Sequence, residues 1–151
     1  MTEVAIETVD LEPQSALVVR RKIALTDFGE ALADILPRVF QHIAGAGQQP
    51  AGMPFVRYFS MDGVACDIAA GMPVLEPIDG AGDIEQHVLP GGRALTALHV
   101  GAYEDVGAVW GQVMQRAREL GSDAQFGWDV YTNDPGEVAP EECETRVYLP
   151  L

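Results

Sequence analysis

Basic residues are what this sequence most conspicuously lacks: nine Lys and Arg stand against 23 Asp and Glu, for a formal net charge of −14. Direct nucleic-acid binding is excluded, because affinity for a phosphate backbone comes from counterion release by Lys and Arg. The same balance favours cationic partners and keeps a protein in solution. Cysteine is sparse too. Cys66 and Cys143 form neither a C-x-x-C pair nor a zinc spacing, and read as small apolar slots rather than as a disulfide. His42, His87 and His99 are scattered without ligand spacing, so no metal and no cofactor is expected. No apolar run approaches the roughly 20 residues that span a bilayer. The start, Met1-Thr2-Glu3-Val4, lacks the basic opening of a secretory signal. The expectation is a cytoplasmic protein with no membrane contact. G-x-S-x-G elbow, P-loop and dinucleotide fingerprint are all missing.

What is there is order, and it occurs twice. A chain of 151 residues, 48% of them hydrophobic, suffices for one domain over residues 1–151 with a real core. Within it, pseudo-repeats at 14–76 and 92–151 carry the same cues in sequence. Ala16-Leu17 matches Ala94-Leu95, Asp27 matches Asp105, and Gly29 matches Gly107. Phe55 and Tyr58 match Trp128 and Tyr131, Cys66-Asp67 matches Cys143-Glu144, and Met72-Pro73-Val74 matches Leu149-Pro150-Leu151. Related halves usually pack about a pseudo-twofold axis and leave a cleft between them.

Glu3 to Leu11 alternates as an opening, edge-type strand, and Ala16 to Ile23 is rich in β-branched residues. From Thr26 the period lengthens. Phe28, Leu32, Ile35, Leu36, Val39, Phe40 and Ile43 recur at helical steps, with Thr26 or Asp27 as cap and Pro37 predicting a kink or a loosened turn. Pro54–Phe59 and Val64–Met72 form a hairpin across Met61-Asp62-Gly63, and Pro77–Gly82 reads as the link between the halves. Asp83–Leu89 and Arg93–Val100 repeat the strand pair. A second helix runs from Ala102 to Leu120, with Tyr103, Val106, Trp110, Val113, Met114 and Ala117 on one stripe, Glu104 and Asp105 in its first turn, and Gly121 at its end. Phe126–Thr132 and Glu144–Leu149 close the chain. The prediction is α+β: duplicated strand–helix–strand–strand units in one antiparallel sheet of about eight strands, with two long helices on one face.

Aromatic and acidic residues concentrate at the matched positions. A step of three inverts side-chain direction along a strand, so at least one of Phe55 and Tyr58, and one of Trp128 and Tyr131, packs conventionally unless a bulge intervenes. Trp110 and Tyr103 fit a core as well as a pocket. Glu144 shares a strand face with Arg146 and Tyr148. Either it forms a surface pair with Arg146, or its desolvation among rings is offset by a lipophilic cation that stacks on them.

These segments resemble the GyrI-like effector-binding family, whose domain is also the ligand-binding half of BmrR-type multidrug-responsive regulators. The resemblance is carried by Pro54-Phe55-Val56-Arg57-Tyr58, by Ala70-Gly71-Met72-Pro73-Val74, and by His99-Val100-Gly101-Ala102-Tyr103-Glu104 followed by Trp110. Trp128-Asp129-Val130-Tyr131-Thr132-Asn133-Asp134-Pro135 and Thr145-Arg146-Val147-Tyr148-Leu149-Pro150-Leu151 complete it. The resemblance implies a ligand cleft between the two helices, lined by aromatics and often centred on a Glu. By position, Phe55, Tyr58, Tyr103, Trp110, Tyr131 and Tyr148 line it, with Trp128 and Glu144 as further ligand-binding candidates. One departure is plain: many members read Thr-Glu-apolar-Tyr in the last strand, whereas here Arg146 follows Thr145.

Three functions compete. The first is a stand-alone binder of bulky lipophilic, cationic small molecules, acting by sensing or sequestration; 151 residues leave no room for a DNA-binding domain beside the fold. The second is a hydrolase of cyclopropanoid or related toxic compounds, with Glu144 as general base and Tyr148 or Tyr131 as donor. The third is a module that acts on a protein partner such as DNA gyrase.

Overall fold

Strand alternation gives way to helical period and back again along the chain, and the computed structural model follows that rhythm. It describes residues 5–102, 105–124, 126–132 and 139–151. The elements are β1 (Ile6–Leu11), β2 (Gln14–Ala24), α1 (Phe28–Gly45), β3 (Phe55–Met61), β4 (Ala65–Pro73), β5 (Ile84–Leu89), β6 (Gly92–Val100), α2 (Val106–Glu119), β7 (Trp128–Tyr131) and β8 (Glu144–Pro150). The class is α+β as expected, with eight antiparallel strands and two helices among the described residues. The chain divides into two compact units, Pro13–Pro90 and Gly91–Leu151, the latter joined by Met1–Glu12.

In the Pro13–Pro90 unit the strands run in the order β3-β4-β2-β5, and α1 packs on β2 and β4. Ala31, Ile35, Val39 and Ile43 form the buried stripe of α1, four residues apart at each step, as a helix seated on a sheet requires. Phe40, expected on that stripe, is instead 50% exposed: it lies one position beyond Val39, about 100° round the helix. Opposite it, Leu17, Val19, Ile68 and Ala70 are sealed from solvent. The buried Leu17, Val19 and Ile68 chains each contribute roughly 1.5–3 kcal/mol. α1 runs through Pro37 as one element. A single 3-10 turn, Leu25–Asp27, leads into it, and Asp27 at the N-cap makes no side-chain capping bond, so the predicted cap is corrected.

The β3–β4 hairpin has the expected turn. Asp62 Oδ1 accepts from the amides of Val64 and Ala65 at 2.9 and 2.8 Å, and Gly63 takes the left-handed conformation with φ of 89°. Those amides hold the Asp62 carboxyl below its ordinary range. Gly71 has a steric reason: a Cβ there would fall 1.8 Å from the Leu17 carbonyl oxygen of the neighbouring strand.

In the other unit the order is β1-β6-β8-β7, with α2 on β6 and β8. Val106, Val109, Val113 and Ala117 of α2 pack with Leu95, Ala97, Val147 and Leu149, while Trp110 and Met114 flank this core half-buried. Gly121, with φ of 84°, ends the helix. Asp105 is its N-cap without a side-chain bond, and Tyr103 and Glu104 lie outside the described residues.

Pro77–Gly82 is not the boundary between units. β5 pairs along β2, from Gln14 opposite Leu89 to Val19 opposite Ile84, and β1 pairs along β6 in the other unit. Each strand that leads into one half therefore edges the sheet of the other. Alternation identified both strands, but a strand's own pattern does not name the neighbour that its amides will choose. The orders β5-β2-β4-β3 and β1-β6-β8-β7 place the matched segments at like positions. The likeness is one of strand order and position.

Candidate functional site

Strand parity sorts the predicted site residues onto two faces. In the β7–β8 pair Trp128 stands opposite Tyr148, Asp129 opposite Val147, Val130 opposite Arg146, and Tyr131 opposite Thr145. Directly opposed residues of an antiparallel pair project to the same side. Trp128, Tyr148, Arg146 and Glu144 thus share the face turned away from α2, while Asp129 and Tyr131 share the α2 face with buried Thr145, Val147 and Leu149.

On the face away from α2, the Trp128 and Tyr148 rings stack with centroids 5.7 Å apart and planes at 22°. Trp128 is 4% exposed, and Tyr148 and Glu144 are half-buried. Glu144 sits opposite Val100 of β6, and its Oε1 accepts from Thr132 Oγ1 at 3.3 Å. Arg146 turns elsewhere: its Nη1 donates to Thr96 Oγ1 at 3.4 Å, and no Glu144–Arg146 ion pair forms among the described residues. The surface-pair reading of Glu144 is therefore not the one adopted.

On the α2 face, Trp110 Nε1 donates to Asp129 Oδ1 at 2.6 Å. Asp129 is wholly buried, one of the few polar side chains so placed. Sequence reasoning missed it. The signal was present in Trp128-Asp129-Val130-Tyr131, where a carboxylate takes a position that parity assigns to the core side.

The other unit separates its pair likewise. Phe55, opposite Gly71, is 1% exposed on the face away from α1, whereas Tyr58, opposite Ile68, lies on the α1 side with its ring parallel to Phe28 at 6.4 Å. β3 bulges between Tyr58 and Ser60. Tyr103 lies outside the described residues. Trp128 and Tyr148 are brought together, and Glu144 lies farther along the same strand face; Trp110 and Tyr131 share the α2 side instead, with Asp129. An open pocket of about 320 Å³ at the end of α2, lined by Arg118, Gly121, Ser122, Asp123 and Ala124, holds none of the predicted aromatics.

The described residues contain no cluster of three or more His, Cys, Asp or Glu placed to hold a metal. His42 Nε2 pairs with Asp79 O at 2.8 Å and His99 Nε2 with Ala102 O at 3.0 Å. Both cysteines are buried free thiols. Among the described residues no helix is long and apolar enough to cross a membrane.

Stacked rings on one face of a sheet whose other face is backed by a helix make this unit an α+β layer. The chain belongs to the GyrI-like small molecule binding domain family, whose model matches residues 5–151. No curated protein matches the sequence. Solved structures share its fold at low identity. The EcmrR–DNA complex in EcmrR-RPo, determined by cryo-EM, superposes with a TM-score of 0.84 at 18% identity, over 97% of this chain and 57% of that one. This chain therefore spans little more than half of EcmrR; the crystal structure of the EcmrR C-terminal domain alone gives 0.71 at 16%, over 98% and 96%. A hydrolase encoded by lin2189 from Listeria innocua gives 0.64 at 14% identity, over 96% and 90% of the two chains. SAV2435 bound to tetraphenylphosphonium gives 0.64 at 11%, over 99% and 93%.

Proposed function

We propose that this domain binds bulky lipophilic cations on the aromatic and acidic face of β7 and β8. One observation carries the reading: the Trp128–Tyr148 stack lies on the same strand face as Glu144. A cation seated there gains attraction from the ring faces and from Glu144, while its apolar body covers the half-buried Tyr148 ring. The fold neighbour solved with tetraphenylphosphonium binds a ligand of this chemistry. The net charge of −14 raises the local concentration of any such cation. Titration with a fluorescent lipophilic cationic dye tests the reading. Saturable binding that weakens about tenfold in Glu144→Gln supports it; absence of saturation, or identical affinity in the variant, refutes it.

A second reading is hydrolysis of a toxic electrophile, favoured by the Listeria hydrolase that shares the fold. In that reading Glu144 activates water and Tyr148, four residues along the same strand face, donates a proton to the leaving group. Tyr131, the other donor candidate, projects to the α2 side. Incubation with a cyclopropanoid alkylating toxin decides: product that appears with the wild type and not with Glu144→Gln establishes hydrolysis, and intact substrate at excess protein removes it.

A further inference from the structure

The Pro13–Pro90 unit carries a second cluster, of opposite charge, on the face of its sheet away from α1. Parity places Arg57 there opposite Ala69, Arg20 opposite the same Ala69, and His87 opposite Ala16. The floor beneath them is small and sealed: Ala16, Val18 and Ala69 are at most 2% exposed. Phe59 sits in the β3 bulge, with the Arg20 guanidinium 4.0 Å and the Arg57 guanidinium 5.1 Å from its ring centroid. His87 meets the same ring edge-on at 6.1 Å. Two arginines and a histidine round one phenyl ring are an unusual concentration for a chain with nine Lys and Arg and three His in all.

The two arginines differ in one respect. Arg20 presents its Nε and Nη2 edge to Asp67, donating to Oδ1 at 3.2 Å and to Oδ2 at 3.1 Å. Among the described residues Arg57 uses Nη1 alone, which donates to His87 Nε2 at 3.0 Å and to the Val88 carbonyl at 3.5 Å. Its Nε–H and Nη2–H meet no carboxylate among the described residues, although the sequence holds 23 acidic side chains. Glu85 is the other acid on this face; it is exposed, stands opposite Val18, and acts on Arg20. Lys22, opposite Asp67, adds a further positive charge.

We propose that Arg57, with Phe59 and His87, forms a site for the carboxylate of a small organic anion. The vacant edge of Arg57 has the fork geometry that Asp67 already fills on Arg20, so the chain holds its own example of the contact. Burial and the neighbouring arginines push the His87 pKa down, so the ring is neutral near pH 7; with Nε2 accepting from Arg57, Nδ1 carries the proton and is a further donor. Arg57 then brings a single unneutralised charge. That matches a monoanionic carboxylate better than a phosphate dianion, which the acidic surroundings repel. The site is independent of Glu144 and of the cation reading.

Benzoate is the probe. Proton–nitrogen NMR of the wild-type chain should show a saturable shift of the Arg57 Nε–H resonance and of the His87 ring at millimolar benzoate. Arg57→Gln should weaken benzoate binding on the order of tenfold or more, and Arg57→Lys, which keeps charge but loses the fork, should also weaken it. Arg93→Gln, an exposed arginine on β6, should bind as the wild type does. A wild-type spectrum indifferent to benzoate overturns the proposal whatever the variants do. So does equal affinity in Arg57→Gln whose thermal midpoint shows it folded.

Discussion

Trp128 and Tyr148 face each other across β7 and β8 and stack at 5.7 Å, whereas the matched pair in the other unit is Phe55 and Gly71. One position holds a ring in one unit and a hydrogen in the other. Gly71 has no alternative, since a Cβ there would collide with the Leu17 carbonyl, while Tyr148 stacks on Trp128. The aromatic floor of the proposed cation site is thus a property of one unit.

Trp128→Ala removes a ring that is 4% exposed and should destabilise by about 3–5 kcal/mol, read from urea or guanidinium midpoints. Tyr148→Ala, at a half-buried position, should cost less stability while lowering dye affinity about tenfold. Equal stability losses with unchanged dye binding would show the stack to be packing alone.

Glycine substitutions should split in sign. Gly71→Ala places a methyl 1.8 Å from a carbonyl oxygen and should destabilise by more than about 4 kcal/mol. Gly111→Ala, inside α2 with nothing within 4 Å, should stabilise by about 0.5–1 kcal/mol. Thermal denaturation of both variants checks the pair.

The Trp110–Asp129 contact should be coupled. Asp129→Leu leaves the indole N–H without its acceptor and should cost about 1–3 kcal/mol. Much of that loss should vanish in a Trp110→Phe background, because the donor is then gone. Additive losses in the double-mutant cycle contradict a real bond at 2.6 Å.

Protonation of His87 sets a pH dependence. Burial, then Arg57 and Arg20, hold its folded pKa below the ordinary 6.5. The unfolded chain therefore binds the proton more readily, so stability is complete above about 6.5 and declines as pH falls through the depressed folded value. Unfolding midpoints measured between pH 7 and 5 should fall, and His87→Gln should flatten the slope.

Much of this was legible in the sequence, for physical reasons that differ by element. Period alone located β2, α1, β3, β4, α2 and β8, because burial of one face leaves a regular mark. The inversion over three residues correctly divided Phe55 from Tyr58 and Trp128 from Tyr131, since a pleat admits no choice of side. What failed was partnership. Nothing in Ile84–Leu89 or Ile6–Leu11 says which edge each will join, and the boundary was accordingly placed at 77–82 rather than at Pro90. Asp129 and the Arg57–Phe59–Arg20 cluster escaped for a similar reason. Their meaning depends on which side chains the register brings together across strands.

The central claim is tested most directly by calorimetric titration of tetraphenylphosphonium into the wild type and Glu144→Gln. The account predicts saturable binding to the wild type, about tenfold weaker in the variant, with the fold intact in both. A wild type that does not bind the cation, or a Glu144→Gln that binds it equally well, would contradict the account.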